Sequence, residues 1–335
     1  VTRTPVVLLS LGAALFVALL AWQGIDAVGS VLLVAGWSLV GVAAFHLVPL
    51  VIDAVALRVL VDSRKTSSPS LARDTLLARW AGESVNSLLP AGQLGGPVVM
   101  VRHLAQHGVA SRDAVAAVTV GTTLQTLTQI LFLFVGVGAF ALFATLGLPS
   151  GLRDAAWIAG IVLALVCVGF FWAQRRGLFG RLSRLLARVP THRDWSSLTL
   201  EADAMDAAVL ALYRDRRRIV ASVLLHFAGW AVGTVEVWLA LHVLGHPVGW
   251  LDALLLESVG QAIRGAAFAI PGSLGVQEGG YLLLAPLVGL TPDTALALSL
   301  VKRARELALG LPGIVYLHFN ERHWRRRAAH VPVVP

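Results

Sequence analysis

The stretch RGAAFAIPGSLGVQEGGYLLLAPLVGLTPDTALALSLVKRARE, residues 264–306, decides how the rest of the chain folds. It sets Arg264, Glu278, Lys302, Arg303, Arg305 and Glu306 inside sequence otherwise apolar enough for a bilayer, and breaks that sequence at Pro271, Gly272 and Gly275. A charge near the bilayer centre costs at least about 2.5 kcal/mol, so these side chains must face protein or trapped water. Irregular backbone at membrane depth survives only where protein buries it or where it lines a cavity. The stretch therefore predicts a re-entrant helical hairpin followed by a charged spanning helix.

Composition carries this reading to the whole chain. With 57% hydrophobic residues, 14% charged residues and mean hydropathy +0.76 over 335 residues, a soluble domain is excluded. The net charge of +8 would suggest nucleic acid in a soluble protein. Here the arginines gather at the ends of apolar runs, where anionic headgroups and the orientation rule need them, and no nucleic-acid partner is expected. The one cysteine, Cys167, lies in an apolar run and permits neither an internal disulfide nor a cysteine metal cluster. No metal and no cofactor are expected.

A bilayer needs about 20 apolar residues per helix. By that measure the chain is an all-α polytopic membrane protein, residues 1–335 forming one transmembrane domain, with about six spans near 5–22, 30–61, 113–146, 155–173, 219–244 and 292–318. The run from Pro5 to Ala21 leads straight into another span and reads as a first transmembrane helix rather than a cleaved signal peptide. The run 30–61 is longer than required, which predicts tilt, a kink near Pro49 or extension into the cytoplasm. Segments 71–107 and 250–290 carry too many polar residues to cross alone and are read as two re-entrant helical hairpins. Residues 174–218 hold ten arginines and two amphipathic stretches, near Leu178–Arg188 and Leu198–Tyr213, suited to a headgroup layer or a solvated connector. Residues 319–335 form a basic tail. If both termini, the 62–70 loop and the connector are cytoplasmic, Arg153 is the only cation in the outer turns 23–29, 147–154, 245–252 and 289–293.

The hairpins resemble each other. Pro90-Ala-Gly-Gln-Leu-Gly95 matches Pro271-Gly-Ser-Leu-Gly275, and 18 residues separate Gly95 from Asp113 and Gly275 from Asp293. Asp74-Thr-Leu-Leu echoes Asp252-Ala-Leu-Leu. Each hairpin carries a polar stripe at i, i+4, i+7: Arg79, Glu83 and Asn86 in one, Glu257, Gln261 and Arg264 in the other. With one hairpin entering from each side, residues 30–146 and 219–318 form an inverted repeat, the arrangement of alternating-access transporters, which bind substrate where the repeats meet.

Lys302, Arg303, Arg305 and Glu306 occupy roughly 160° of helix circumference at about 100° per residue. With Gln277, Glu278, Arg264, Arg102 and the two stripes they make the candidate translocation site, a cationic midplane cavity. Its excess positive charge needs an anionic headgroup, or the acids Glu257, Glu278 and Glu83 of facing helices. The competing reading is a self-compensated ion network, Lys302–Glu306 and Arg303–Glu306, that fixes helix packing. Thr119, Thr122, Thr123, Gln125, Thr126, Thr128 and Gln129 suit either a cavity wall or interhelical hydrogen bonds. His46 reads as a hydrogen-bonded packing residue rather than a ligand.

The pairing of NSLLPAGQLGGPVVMVRHL (Asn86–Leu104) with IPGSLGVQEGG (Ile270–Gly280) resembles the flippase-like transmembrane domain of lysylphosphatidylglycerol synthases. The run from Pro271 to Gly313 resembles the hopanoid-biosynthesis-associated membrane proteins of that superfamily. The resemblance covers nearly the whole chain. It implies a multi-pass protein of the bacterial inner (cytoplasmic) membrane that moves a lipid or lipid-linked headgroup, a hopanoid among the candidates. It implies motif positions Asn86, Pro90, Gly95, Gly96 and Arg102, then Pro271, Gly272, Gly275, Glu278, Arg303 and Glu306, and no catalytic residue. Pro97 stands where relatives often carry an acid, and the aminoacyl-transfer domain of the synthases is missing from the short tail, so lipid aminoacylation is not expected.

No GxxxxGK[ST] phosphate loop occurs, so transport is expected to be downhill or ion-coupled, with Glu236, Glu278 and Glu306 as protonation candidates. Two rivals remain open, an intramembrane lipid-modifying transferase and an accessory scaffold of a lipid-synthesis complex. The scattered histidines His46, His103, His226 and His242 speak against the transferase, and the chain is not expected to be an enzyme. The expected partners are membrane lipids, with hopanoid- or lipid-synthesis proteins and a homo-oligomer left open.

Overall fold

The computed structural model describes residues 36–62, 64, 66–89, 95–143, 196–267, 273 and 275–329, with isolated positions between 158 and 181. The expected span 5–22, most of 155–173, the 178–188 stretch, Cys167, Pro90, Pro271 and Gly272 lie outside the described residues. All regular structure among the described residues is helical. In order it comprises α1 (Ser38–Phe45), α2 (Leu47–Leu60), α3 (Leu71–Leu88), α4 (Gly95–Gln106) and α5 (Ser111–Phe143). Then follow α6 (Ser196–Arg214), α7 (Arg216–Val243), α8 (Trp250–Ala266), α9 (Val276–Leu284), a 3-10 turn (Ala285–Val288) and α10 (Pro292–Ala329).

Among the described residues, three helices are long and apolar enough to cross a bilayer: Val40–Leu60, Ser111–Phe140 and Arg216–Val243. The chain is thus an all-α membrane-spanning protein. The first of these is broken at His46, between α1 and α2. Pro49 explains the position. It has no N–H for the carbonyl four residues back, and its ring crowds that carbonyl, which belongs to Phe45, the last residue of α1. The expected kink therefore falls one helical turn before the proline. The helix α10 spans 38 residues, about 57 Å at 1.5 Å per residue, and so outlasts a hydrocarbon core of about 30 Å.

Contacts fix the direction of each helix. His46 lies level with Glu236 and Asp53 with His226, so α2 and α7 run antiparallel. Glu83 at His46 and Arg79 at Asp53 set α3 antiparallel to α2. Gly121 under Leu57 and Leu60, with Gln125 reaching Asp53, does the same for α5. Both α8 on α5 (Ser258 at Gly136, Gly265 at Gln129) and α10 on α3 (Gly313 at Ser84, Gly310 at Leu88) are antiparallel crossings. So are α4 on α3, through Gly82 and Met100, and α9 on α8, through Gly260 and Tyr281. Taking α2 as upward, α2 to α5 run up, down, up, down, whereas α7 to α10 run down, up, down, up. Every helix of the first set opposes its counterpart in the second.

Two of the crossings between sets, α8 on α5 and α10 on α3, are built alike. At each, a glycine of the long helix lies under a serine of the hairpin helix: Gly136 under Ser258 and Gly313 under Ser84, both so close that an added Cβ would come within 2.0 Å of the hydroxyl. Small residues let backbones approach, the packing that holds helices together where lipid removes the hydrophobic drive. The stretch Leu198–Tyr213 falls within α6 and turns its apolar face inward onto the start of α5, burying Ala202, Val209 and Leu212. It braces the start of α5.

Candidate functional site

Lys302, Arg303, Arg305 and Glu306 of α10 are 2–7% exposed, and each has a partner on another helix. Lys302 Nζ donates to Glu257 Oε2 on α8. Arg303 donates from Nε to Glu278 Oε1 on α9 (3.2 Å) and from Nη1 to Glu306 Oε2 (2.9 Å). Arg305 Nη1 donates to Glu236 Oε1 on α7, and Glu306 Oε1 accepts from Arg264 Nη1 on α8. The Ser299 hydroxyl also donates to Glu278 (3.1 Å), and the Gln261 amide to Glu257 (2.8 Å).

His46 joins this cluster to the first half. Its Nδ1 lies 2.7 Å from Glu236 Oε2 and its Nε2 lies 2.8 Å from Glu83 Oε1. Carboxylates only accept, so the ring serves both as an imidazolium, sharing Glu236 with Arg305. Beyond Glu83 the chain of contacts runs to Arg79, which donates to Asp53 Oδ2 at 2.8 Å and lies 3.7 Å from Glu83. Asp53 also accepts from Gln125 Nε2 (3.0 Å) and from His226 Nδ1 (2.8 Å).

The resulting charges balance. Five cations (Arg79, Arg264, Lys302, Arg303, Arg305) and the His46 imidazolium meet six carboxylates, Asp53, Glu83, Glu236, Glu257, Glu278 and Glu306. The expected surplus of positive charge is therefore corrected: facing helices supply the missing acids, because an unpaired ion so deeply buried would cost several kcal/mol. The expected Lys302–Glu306 contact is also replaced, since Lys302 turns to Glu257, with Tyr281 nearby. Nor do the four ions line a single hollow. Only Arg305 and Glu306 reach a narrow crevice of about 290 Å³, its open mouth included, between α3 and α10. Its other walls are His46, Leu50, Trp80, Glu83, Ser84, Ser87, Leu309 and Gly310.

The structure places the remaining candidates as follows. Asn86 does not enter the network; its Oδ1 accepts the Gly96 N–H at 2.7 Å and closes the first hairpin. Gly96 packs against Asn86 and the Gly82 carbonyl too tightly for any side chain. Gly95 begins α4, and Gly275, at φ 77°, caps α9 in a conformation open chiefly to glycine. Gln277 is buried beside Glu278 without joining the ion pairs. Arg102 stands apart at the far end of the bundle, half exposed, where it binds Glu321. The threonines of α5 mostly bond their own helix, Thr122 to the Val118 carbonyl and Thr126 to that of Thr122. Gln125 and Gln129 make the interhelical bonds.

Sequence reasoning undervalued His46, Asp53, His226 and Glu236, which carry the link between halves. A signal for them existed. Gly95 and Gly275 are 180 positions apart, and so are His46 and His226, and Gln125 and Arg305. Each histidine reaches across to the acid of the other half, His46 to Glu236 and His226 to Asp53. Each acid is also held by position 125 or 305 of its own half.

The family profile for the transmembrane region of lysylphosphatidylglycerol synthase matches residues 7–313. The chain therefore belongs to that family. No curated protein and no solved structure matches it.

Proposed function

We propose that this member of the lysylphosphatidylglycerol synthase transmembrane family translocates a lipid or lipid-linked headgroup, and that its two halves form an inverted repeat around the site. The observation that carries the reading is the crevice between α3 and α10. Arg305, Glu306, His46 and Glu83 offer it charged walls, and Leu50, Trp80 and Leu309 offer apolar ones. An anionic headgroup would compete for Arg305 or Arg264 and release Glu236 or Glu306, which could then take a proton; transport is ion-coupled on this reading. The helix-break-helix units 71–106 and 250–284 act as re-entrant hairpins that rock against each other. Family membership supports a lipid as cargo. Within that class we favour a hopanoid-type lipid, a location in the bacterial inner membrane with both termini cytoplasmic, and no enzymatic step.

Liposomes holding the purified chain and a headgroup-labelled lipid test this. Wild type is expected to equalise the label between leaflets without changing the lipid's mass, and Glu306→Gln, which strips an acid from Arg264 and Arg303 and lowers the melting temperature, to slow the exchange at least tenfold at a temperature where circular dichroism shows it folded. Exchange no faster than in protein-free liposomes would overturn translocation. A changed lipid mass would replace it with a transferase. The completeness of the ion pairing favours a second reading, an accessory scaffold, in which charge reversal at Lys302 or Arg303 impairs assembly with lipid-synthesis proteins and affects no transport.

A further inference from the structure

Three metal-ligating side chains that the ion network does not use converge at the base of the first hairpin. Asp74, in the first turn of α3, and His103 and His107, one turn apart on α4, each offer one ligand atom, and these atoms lie within 4.8 Å of one another. His103 is only 1% exposed, yet neither of its ring nitrogens has a hydrogen-bond partner among the described residues. A polar group left so costs about 1–3 kcal/mol, which a bound cation would remove.

The other two ligands are already oriented. His107 Nδ1 lies 2.8 Å from the His103 carbonyl. A carbonyl only accepts, so the proton sits on Nδ1 and the Nε2 lone pair is free, the usual outer contact of a metal-bound histidine. Ser68 Oγ donates to Asp74 Oδ2 at 2.6 Å and leaves Oδ1 available. The loop that carries Ser68 is itself pinned, the Ser67 N–H and Thr66 hydroxyl both donating to the Gly108 carbonyl just beyond α4.

We infer that Asp74, His103 and His107 bind a divalent transition metal of the zinc type and clamp the open base of the first hairpin. Two imidazoles and a carboxylate are a borderline donor set that suits Zn²⁺, and a water would fill the fourth position. Tetrahedral bonds of about 2.0–2.1 Å hold donor atoms roughly 3.3 Å apart. Small shifts of the unbonded His103 ring and of α3 towards α4 close the remaining gap, and the outer contacts of His107 and Asp74 stay in place. The second hairpin keeps the matching acid, Asp252, but the positions 180 residues beyond His103 and His107 are Leu283 and Leu287. The second hairpin therefore lacks the two histidines of the site.

The test uses the full chain in lipid nanodiscs, stripped by a chelator and then equilibrated with Zn²⁺, or with Co²⁺ for its visible spectrum. Wild type is expected to retain one equivalent of Zn²⁺ and to show tetrahedral Co²⁺ bands. His103→Ala and the near-isosteric Asp74→Asn should each retain under a tenth of that. Ser68→Ala should keep the stoichiometry and bind roughly tenfold more weakly, as loss of an outer contact does. Wild type retaining no more metal than the His103→Ala/His107→Ala double variant would overturn the assignment, as would full binding by Asp74→Asn.

Discussion

Asp53 in the first half and Glu236 in the second occupy equivalent settings with different charges around them. Each accepts from the histidine of the opposite half and from the long helix of its own half, but that last donor is the neutral Gln125 in one case and Arg305 in the other. Arg79, reaching in from α3, supplies the positive charge that Gln125 lacks. The same divergence runs along the helices: Lys302, Arg303 and Glu306 on α10 stand 180 positions from Thr122, Thr123 and Thr126 on α5. The comparison teaches that the duplicated geometry has been kept while the charge has been concentrated on one helix. On α5 the matching positions are neutral threonines, and the first half's ions, Asp53, Arg79 and Glu83, sit on α2 and α3 instead.

The largest expected effect comes from making the second half resemble the first. Arg305→Gln takes from Glu236 one of its two cations and removes a charge beside Glu306, and breaking a buried pair from one side costs about 3–5 kcal/mol. The mirror change, Gln125→Leu, removes a single hydrogen bond to a carboxylate, worth about 1.5–3 kcal/mol, while Arg79 remains. Denaturant unfolding in detergent, followed by tryptophan fluorescence, measures both. Equal losses would break the comparison. Adding Glu236→Gln to Arg305→Gln should restore part of the stability, because the stranded acid is then neutral.

The two histidines sharpen it further. His46 bridges Glu83 and Glu236, whereas His226 contacts Asp53 alone, its Nε2 having no hydrogen-bond partner among the described residues. His46→Ala is expected to cost about 3 kcal/mol, because two acids lose one cation, and His226→Ala about 1–2 kcal/mol. A double variant whose loss differs from the sum would show that the two contacts, at opposite ends of the α2–α7 crossing, communicate.

How much of this was legible follows from how each feature is encoded. Helical segments were, because about 20 apolar residues in a row have few other uses. The importance of residues 264–306 was, because ions and a Pro-Gly break inside such sequence demand a reason. The partners of those ions were not. Glu236 and Asp53 each sit singly in a long apolar helix, and their histidines lie 190 and 173 residues away. No local period links such residues. The linking signal is the repeat itself, which had been read from the hairpins and not carried back to His46 and His226. Counting charges on one helix also misled, since neutrality was achieved by five different helices. Arg102 drew attention as a motif position, yet its place is set by α10 running far beyond the bilayer to bring Glu321 alongside.

The glycine crossings test what the halves still share. Gly136→Ala and Gly313→Ala each press a methyl group against a serine hydroxyl, Ser258 in one case and Ser84 in the other. Overpacking of this kind costs about 1–3 kcal/mol. The two losses should be alike, and Ser258→Ala or Ser84→Ala should relieve only the crossing to which it belongs. Relief at the wrong crossing would mean that the serines act through the hairpins rather than by contact.

The smallest effect belongs to a pair with no counterpart in the other half. Arg102 grips Glu321 through two parallel bonds of 2.5 and 2.7 Å, and Gln106 adds a third at 2.9 Å. Glu321 lies beyond the apolar part of α10. Partial burial pushes its carboxyl up, but the bonds from Arg102 and Gln106 outweigh burial and hold it below the usual carboxylate range. A carboxyl depressed in the folded state contributes stability above its unfolded pKa and loses it as pH falls through the folded value. Arg102→Ala should therefore cost less than about 1 kcal/mol at neutral pH, since the pair is partly solvated, and the difference from wild type should shrink in acid and in high salt. A loss of several kcal/mol that persists in acid would show that α4 and α10 are held together there by packing, and that the first hairpin is anchored at its base as firmly as at the ion network.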